Sequence, residues 1–489
     1  LFSYMYNSAL IETFKTFSKQ EMKDFSLFIK SPFFNTNQSV IKLFEKIKIL
    51  YPEFEEIKLD KKLLFGNAFG KIKYNDSFMR MTVFRLMELV KEFLIHTNIQ
   101  RKNFTKETSL LDEFNIRELN SLMQKTISEL DKKIDKHKAK EADSFYAKYR
   151  LEYFKNDIKS RDTKMITHKD KLSEDLMLEQ KSLNTFFFMS SLKFFQYFLN
   201  QKNFVVNAGG NPDFINDILE HLKLNEDYLK VPALKLYHTM SLMLLTDDDK
   251  YFFELKKLLF EDKDELSYIE KFNLIADLRN YAQKKFDKGN IAYKDSMIDI
   301  IKFSIDKNFF TPLEGGKNIS EIRFMNIVWT GLQLREFEWL DELIKKLIVR
   351  IDPDKRKYVL AYTNAAINFE KGNFSKALEL LGDSGSIKNV FYKAATKQLT
   401  LMIYYELNWF VPASDLLDAY RHFIKTDKLL PEIYIAKSNL FIKYYEKLLK
   451  VSDNKDNRSH DITQLVSELK TTSLTWILKK AQELEMKIL

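Results

Sequence analysis

Two segments near the C-terminal end of the chain share one pattern of residues. Residues 368–381, NFEKGNFSKALELL, superpose on residues 404–417, YYELNWFVPASDLL, with an offset of 36 residues. An aromatic residue, a small residue and a leucine recur in this alignment, which pairs Phe369 with Tyr405, Ala377 with Ala413, and Leu381 with Leu417. A period of this length is typical of helix pairs that stack on one another. We therefore expect antiparallel helix pairs in the C-terminal half of the chain.

The composition favours helices throughout. The 489 residues include only 11 Gly and 8 Pro, and 30% of the residues are charged. Apolar residues follow a helical spacing along almost the whole sequence, which lacks alternating strand patterns beside Asn-Gly or Asp-Gly turns. We predict an all-α fold in three parts: a basic N-terminal helical domain over residues 1–105, long charged helices over residues 106–204, and helix pairs over residues 205–489 that end in a capping helix.

The C-terminal helix pairs resemble tetratricopeptide repeats. In the best unit this resemblance is carried by Ala365, Phe369, Gly372, Phe374 and Ala377. One position recurs backward through the chain, from Phe410 to Phe374, Phe337, Ile291 and Tyr251. The pattern drifts, because the small residue at the helix crossing becomes Leu340 in one unit and the turn glycine is present only as Gly372. The resemblance implies a solenoid of stacked helix pairs.

The same resemblance implies a partner-binding groove, because the first helix of each tetratricopeptide-like pair lines a concave surface. It places nine side chains there: Met325, Trp329, Tyr362, Phe369, Glu370, Gln398, Met402, Tyr405 and Glu406. Aromatic rings and flexible thioethers suit an amphipathic helix or an apolar peptide segment, and the carboxylates would set its register. A second interpretation remains open, in which about half of these side chains, Phe369 and Tyr405 especially, fill the core between helices.

The net charge of +9 is unevenly distributed along the chain. Residues 1–105 hold 17 Lys and Arg against 11 Asp and Glu. Four of these basic residues, Lys71, Lys73, Arg80 and Arg85, surround the start of a helix predicted from residue 77. A basic helix is able to contact nucleic acid, but Arg80 and Arg85 do not share one narrow helix face. An exposed, solvated helix is the simpler interpretation.

Motifs for catalysis or cofactor binding are missing from the sequence. It has neither the glycine spacing of nucleotide-binding loops nor the G-x-S-x-G turn of many hydrolases. The chain has no Cys, and its seven His never occur at the i, i+4 spacing of metal ligands on a helix. The acidic run Asp247–Asp249 is expected to cap a helix instead of binding a cation. We predict no enzyme activity, no cofactor and no metal site.

The absence of Cys and of a recognisable secretory signal favours the cytosol. The most apolar stretch, residues 185–199, is shorter than the roughly 20 residues that span a bilayer and contains Lys193, so we expect a buried helix without membrane insertion. The predicted function is a non-catalytic scaffold or adaptor that binds another protein or peptide segment in the groove of its repeats. The alternative is a regulatory protein whose basic N-terminal region binds nucleic acid while the repeats bind a protein.

Overall fold

A computed structural model describes residues 8–70, 72–161, 169–202, 214–262, 266–311, 318–382, 387, 389–453, 458–472 and 474–487. Over these ranges the chain forms 23 α-helices and no β-strand, together with two short 3-10 helices, Glu56–Leu59 and Glu226–Lys230. The prediction of an all-α fold is confirmed.

The chain forms two compact units. Unit one comprises Leu1–Lys136 and Ala147–Glu179, and unit two comprises His137–Tyr146 and Gln180–Leu489. Two helices, α8 (Ala142–Ser160) and α9 (Lys169–Lys202), contribute residues to both units. The division of the chain into three domains, 1–105, 106–204 and 205–489, stays a prediction.

In unit one, side chains cap several of the helix starts, and phenylalanine rings fill much of the core. Asn75 caps the start of the long helix α5 (Asp76–Arg101), because its Oδ1 accepts the backbone N–H of Phe78 at 3.0 Å. The rings of Phe25 and Phe44 meet edge to face in the core, with centroids 5.0 Å apart. The helices that lie entirely within this unit are α1 (Ala9–Lys15), α2 (Lys19–Phe28), α3 (Gln38–Lys48), α4 (Lys61–Phe69), α5 (Asp76–Arg101), α6 (Thr105–Ile116) and α7 (Asn120–Lys136).

Unit two consists of helices that pack against their neighbours in the sequence. They are α10 (Ile215–Leu224), α11 (Pro232–Thr246), α12 (Asp249–Phe260), α13 (Tyr268–Asp287), α14 (Tyr293–Asp306), α15 (Glu321–Leu334), α16 (Phe337–Ile348), α17 (Pro353–Glu370), α18 (Phe374–Gly382), α19 (Val390–Glu406), α20 (Phe410–Thr426), α21 (Glu432–Asp453), α22 (Arg458–Leu469) and α23 (Thr475–Met486). The helices from α11 to α20 form five adjacent pairs in contact, α11 with α12 through α19 with α20.

A left-handed residue joins the two helices of each of these five pairs. The residues with positive φ at these turns are Asp247, Gly289, Arg335, Gly372 and Asn408. A left-handed residue after a helix turns the chain so that the next amides reach the last carbonyls of that helix. One of these turns contains the glycine that the sequence indicates, Gly372. The equivalent turns at Arg335 and Asn408 therefore adopt the same conformation without glycine.

The turns at Gly289, Arg335, Gly372 and Asn408 share one type of hydrogen bond. The amide after the left-handed residue donates to the carbonyl five residues earlier, at 2.8 Å for Asn373 to Asn368 and at 2.8 Å for Trp409 to Tyr404. The same bond in the preceding pair, from Glu336 to Gly331, measures 3.3 Å. The second helices α16, α18 and α20 consequently begin at Phe337, Phe374 and Phe410, the recurring position found in the sequence.

The close crossing inside each pair is kept even where the small residue is lost. Ala377 and Ala413 are fully buried at their crossings. In the pair α15 and α16, the larger Leu340 is also fully buried and faces Gly331, whose missing side chain leaves it room. A Cβ atom at Gly331 would lie only 2.7 Å from Cδ1 of Leu340. The small residue has moved to the other helix of the pair.

The aromatic stretch at residues 185–199 lies in α9 and is only half-buried. Phe188, Leu192 and Phe195 are buried, whereas Phe187 and Phe194 are exposed. The expectation of a buried helix is wrong in this respect, because apolar residues cover more than one face of α9. Across the described residues, no helix combines the length and the apolar character that crossing a membrane requires.

Candidate partner-binding face

The first helices of three successive pairs, α15, α17 and α19, are direct neighbours, and we call them the first-helix layer. α17 contacts α15 and α19 as well as α16 and α18. Ser320, Asp352 and Asn389 cap the three helix starts. Glu321 links them, since its carboxylate accepts a hydrogen bond from Asn389 at 3.0 Å and pairs with Lys355 at 3.2 Å. The layer is thus fixed by polar contacts at one end.

Five of the nine side chains predicted for the groove are buried in the core of unit two. They are Met325, Tyr362, Phe369, Met402 and Tyr405, none more than 8% exposed. These side chains fill the space between helices, as the second interpretation of the sequence describes. Their role in binding a partner stays a prediction.

The C-terminal helix α23 covers part of the first-helix layer. The Trp476 ring lies 5.5 Å from the ring of Tyr405 and 6.3 Å from that of Phe369, measured between centroids. It also stacks on Tyr445 of α21 at 6.2 Å with an interplanar angle of 19°. Three aromatic rings from α17, α19 and α21 therefore surround one tryptophan of α23.

Polar contacts hold α23 at the same place. The indole Nε1 of Trp476 donates to Oε1 of Glu406 at 2.9 Å, and Lys480 pairs with Oε2 of Glu406 at 2.9 Å. Both charged side chains are largely buried, with 14% of Lys480 and 12% of Glu406 exposed. Charge-assisted hydrogen bonds in such surroundings are stronger than neutral ones at the surface. Glu406, a predicted groove residue, is thus bonded to α23 through both carboxylate oxygens.

Trp476 and Lys480 were not among the site residues predicted from the sequence. They follow each other at the i, i+4 spacing that places two side chains on one helix face, while Ile477 and Ala481 occupy the buried face. An aromatic and a basic residue on the second face of an amphipathic terminal helix would have been the signal. The residue that this face contacts, Glu406 on α19, is not visible from local spacing.

The remaining three predicted groove residues, Trp329, Glu370 and Gln398, stay in contact with solvent. Trp329 on α15 is 36% exposed, Glu370 on α17 is exposed, and Gln398 on α19 is partly buried. Partial desolvation raises the pKa of Glu370, while the positive charges of Arg335 and Lys479 act in the opposite direction. An aromatic ring and a carboxylate are therefore available on the part of the layer nearer α15.

The basic residues considered for nucleic acid lie in unit one. Lys73, Arg80 and Arg85 are exposed, and Lys71 lies outside the described residues. Arg80 pairs with Asp76 at 3.0 Å, one turn earlier on α5. A solvent-exposed pair of this kind contributes little to stability and leaves both side chains accessible. Nucleic-acid binding at these residues stays a prediction.

The acidic run before α12 is a capped helix start, as predicted. Asp248 accepts the backbone N–H of Lys250 at 3.0 Å. Asp247 and Asp249 both pair with Lys285, at 3.3 and 2.8 Å. In the part of the chain that the structure describes, no cluster of three or more His, Asp or Glu side chains is arranged to hold a metal ion.

Comparison of the chain with protein-family models, with curated proteins and with solved structures finds no match.

Proposed function

We propose that the chain is a cytosolic, non-catalytic scaffold whose first-helix layer binds an amphipathic helix of a partner protein. The observation that carries this proposal is the docking of α23, which inserts Trp476 among three aromatic rings and Lys480 beside Glu406. A helix that lays one aromatic side chain and one cation on this layer is already in place, and helix-in-groove binding uses contacts of the same kind between two chains.

The partner is proposed to bind beside α23, on the part of the layer nearer α15. Trp329 offers an exposed aromatic surface there and Glu370 a carboxylate, the same two features that hold Trp476 and Lys480. We infer that the partner helix carries an aromatic residue and a basic residue four positions apart. Side chains fixed by packing lose little entropy on binding, so a few such contacts yield useful affinity.

The repeated left-handed turn and the equivalent helix starts support the finer architecture, a tetratricopeptide-like stack with α23 as its terminal helix. In the tetratricopeptide repeats that the chain resembles, the first helices of successive pairs line the concave side. The direct contacts of α17 with α15 and α19 are consistent with this assignment for the first-helix layer.

The test uses two exposed tryptophans as a matched pair. Trp329 lies on the proposed face, whereas Trp409, 47% exposed, lies in the turn between α19 and α20. A photo-crosslinking residue at position 333, an exposed position one turn after Trp329 on α15, captures the partner from nuclease-treated cytosol, and the purified partner is then titrated against each variant. Trp329→Ala should weaken binding at least about tenfold, the effect of losing one central aromatic contact, and Trp409→Ala should leave it unchanged.

Equal affinities for the two variants would contradict the placement of the site. Recovery that depends on nucleic acid, falls steeply with salt and requires Lys73, Arg80 and Arg85 would favour the alternative instead, a regulator whose N-terminal region binds nucleic acid. The three side chains are exposed, as that alternative requires.

A further inference from the structure

Two arginines line one small cavity in unit two. Arg279 comes from α13 and Arg323 from α15, and the cavity between them has a volume of about 30 Å³. The rest of its wall is mainly apolar and includes Phe272, Ile301 and Phe310. Two positive side chains thus share a space whose other walls supply no charge.

Neither guanidinium has a carboxylate partner among the described residues. Arg323 donates from Nη1 to the backbone carbonyl of Phe310 at 2.6 Å, and its guanidinium lies 4.3 Å from the ring centroid of Phe272. Within the same described ranges, Arg279 makes no hydrogen bond and no ion pair. Asp277, which attracts Arg279 at longer range, is engaged by the side-chain amide of Gln196.

This arrangement is electrostatically unfavourable when the cavity holds no counter-charge. Burial, followed by the positive charge of Arg323, lowers the pKa of Arg279 to about 10. Both groups remain charged at neutral pH, so two like charges face each other in partly desolvated surroundings. A buried charge without a partner destabilises a fold, and guanidinium donors that lack an acceptor add to this effect.

We propose that Arg279 and Arg323 form a binding site for one compact monovalent anion, of the size of chloride. The planar forks of two guanidinium groups supply several N–H donors to a single anion between them. The cavity volume of about 30 Å³ exceeds the about 10–15 Å³ that one water-sized particle requires, so a compact anion such as chloride or bromide has room there. An anion there would join α13 to α15 and thereby couple two successive helix pairs.

The experiment follows thermal unfolding of the full chain while sodium chloride replaces sodium gluconate at constant ionic strength. Gluconate, a six-carbon hydroxylated carboxylate, serves as the bulky reference anion. Chloride should raise the Tm along a saturating curve by about 2 °C or more, as expected for a ligand that binds only the folded state. Arg279→Gln should abolish the rise, and Arg117→Gln should keep it, because Arg117 is an exposed arginine at the C-terminal end of α6 that pairs with Glu113.

Arg279→Gln removes a repulsive charge, so in gluconate it should melt no lower than the wild type. An independent measurement avoids reliance on that variant: wild-type crystals soaked in bromide should show an anomalous peak between the two guanidinium groups. A Tm response that Arg279→Gln leaves intact would overturn the proposal. So would a wild-type Tm that does not distinguish chloride from gluconate, or bromide peaks that avoid the cavity.

Discussion

We predict that glycine is needed at position 331 for stability only because the side chain of Leu340 packs against it. A Cβ atom at position 331 would lie 2.7 Å from Cδ1 and 3.3 Å from Cδ2 and Cγ of Leu340. Carbon atoms in good contact are about 3.5–4.0 Å apart, so Gly331→Ala overlaps a side chain that is fully buried and has little room to move. Overpacking of this kind costs about 1–3 kcal/mol, against a gain of about 1 kcal/mol from replacing glycine inside a helix.

The net effect of Gly331→Ala should therefore be a loss of up to about 2 kcal/mol of stability. Leu340→Ala alone should cost about 2–5 kcal/mol, because it leaves a cavity at the same crossing. In the Leu340→Ala background the overlap is gone, and Gly331→Ala should stabilise by about 1 kcal/mol through helix propensity and partial filling of the cavity. The same substitution is thus predicted to change sign between the two backgrounds.

Hydrogen exchange of the amides in α15 and α16 measures this effect locally, which suits a chain of two units whose global unfolding need not be two-state. Gly66 in α4 is the control, because a Cβ there would have no atom within 4 Å. Gly66→Ala should show only the gain from helix propensity, about 1 kcal/mol, in the amides of α4. If Gly331→Ala had the same effect in the wild type and in the Leu340→Ala variant, the close contact between positions 331 and 340 would be refuted.

Two further predictions concern backbone strain and pH. Arg335→Gly and Asn408→Gly should each raise stability by up to about 1 kcal/mol, because a side chain is disfavoured at positive φ. Gly372→Ala should lower stability by about 1 kcal/mol for the same reason. A Tm that falls in the first two variants or rises in the third would contradict the role of positive φ at these turns. Burial lowers the pKa of His238, so the unfolded chain takes up this proton first and stability should fall as the pH drops below about 6.5. His238→Gln should flatten that loss of Tm between pH 7 and 5, and the same change at the exposed His422 should not.

Helix pairing was predictable because it depends on local patterns that repeat. An aromatic residue every 36 or 37 positions marks Phe337, Phe374 and Phe410, and each begins the second helix of its pair. The turns were less predictable, since glycine is the usual sign of a left-handed residue and only Gly372 and Gly289 among the five turns carry it. Arg335 and Asn408 take up that conformation because the helices on both sides fix the path of the chain.

The burial of the groove residues was predictable only in part. A spacing of three or four residues states which side chains share a helix face, as Gln398, Met402 and Tyr405 do on α19. Whether the face meets solvent depends on a helix about 70 residues further along, which no local pattern reports. Burial of Phe369 and exposure of Glu370 on the same helix therefore follow from tertiary packing.

The position of α23 also accounts for its composition. A helix that only closes the end of a stack needs one apolar face, which Ile477 and Ala481 provide. Trp476 and Lys480 lie outside that face, and a solvent-exposed tryptophan there would gain nothing for a simple cap. Both side chains instead meet Glu406 on the first-helix layer, so α23 already occupies part of the face proposed to bind a partner. The chemistry that holds α23 is therefore the best guide to the helix that would bind beside it.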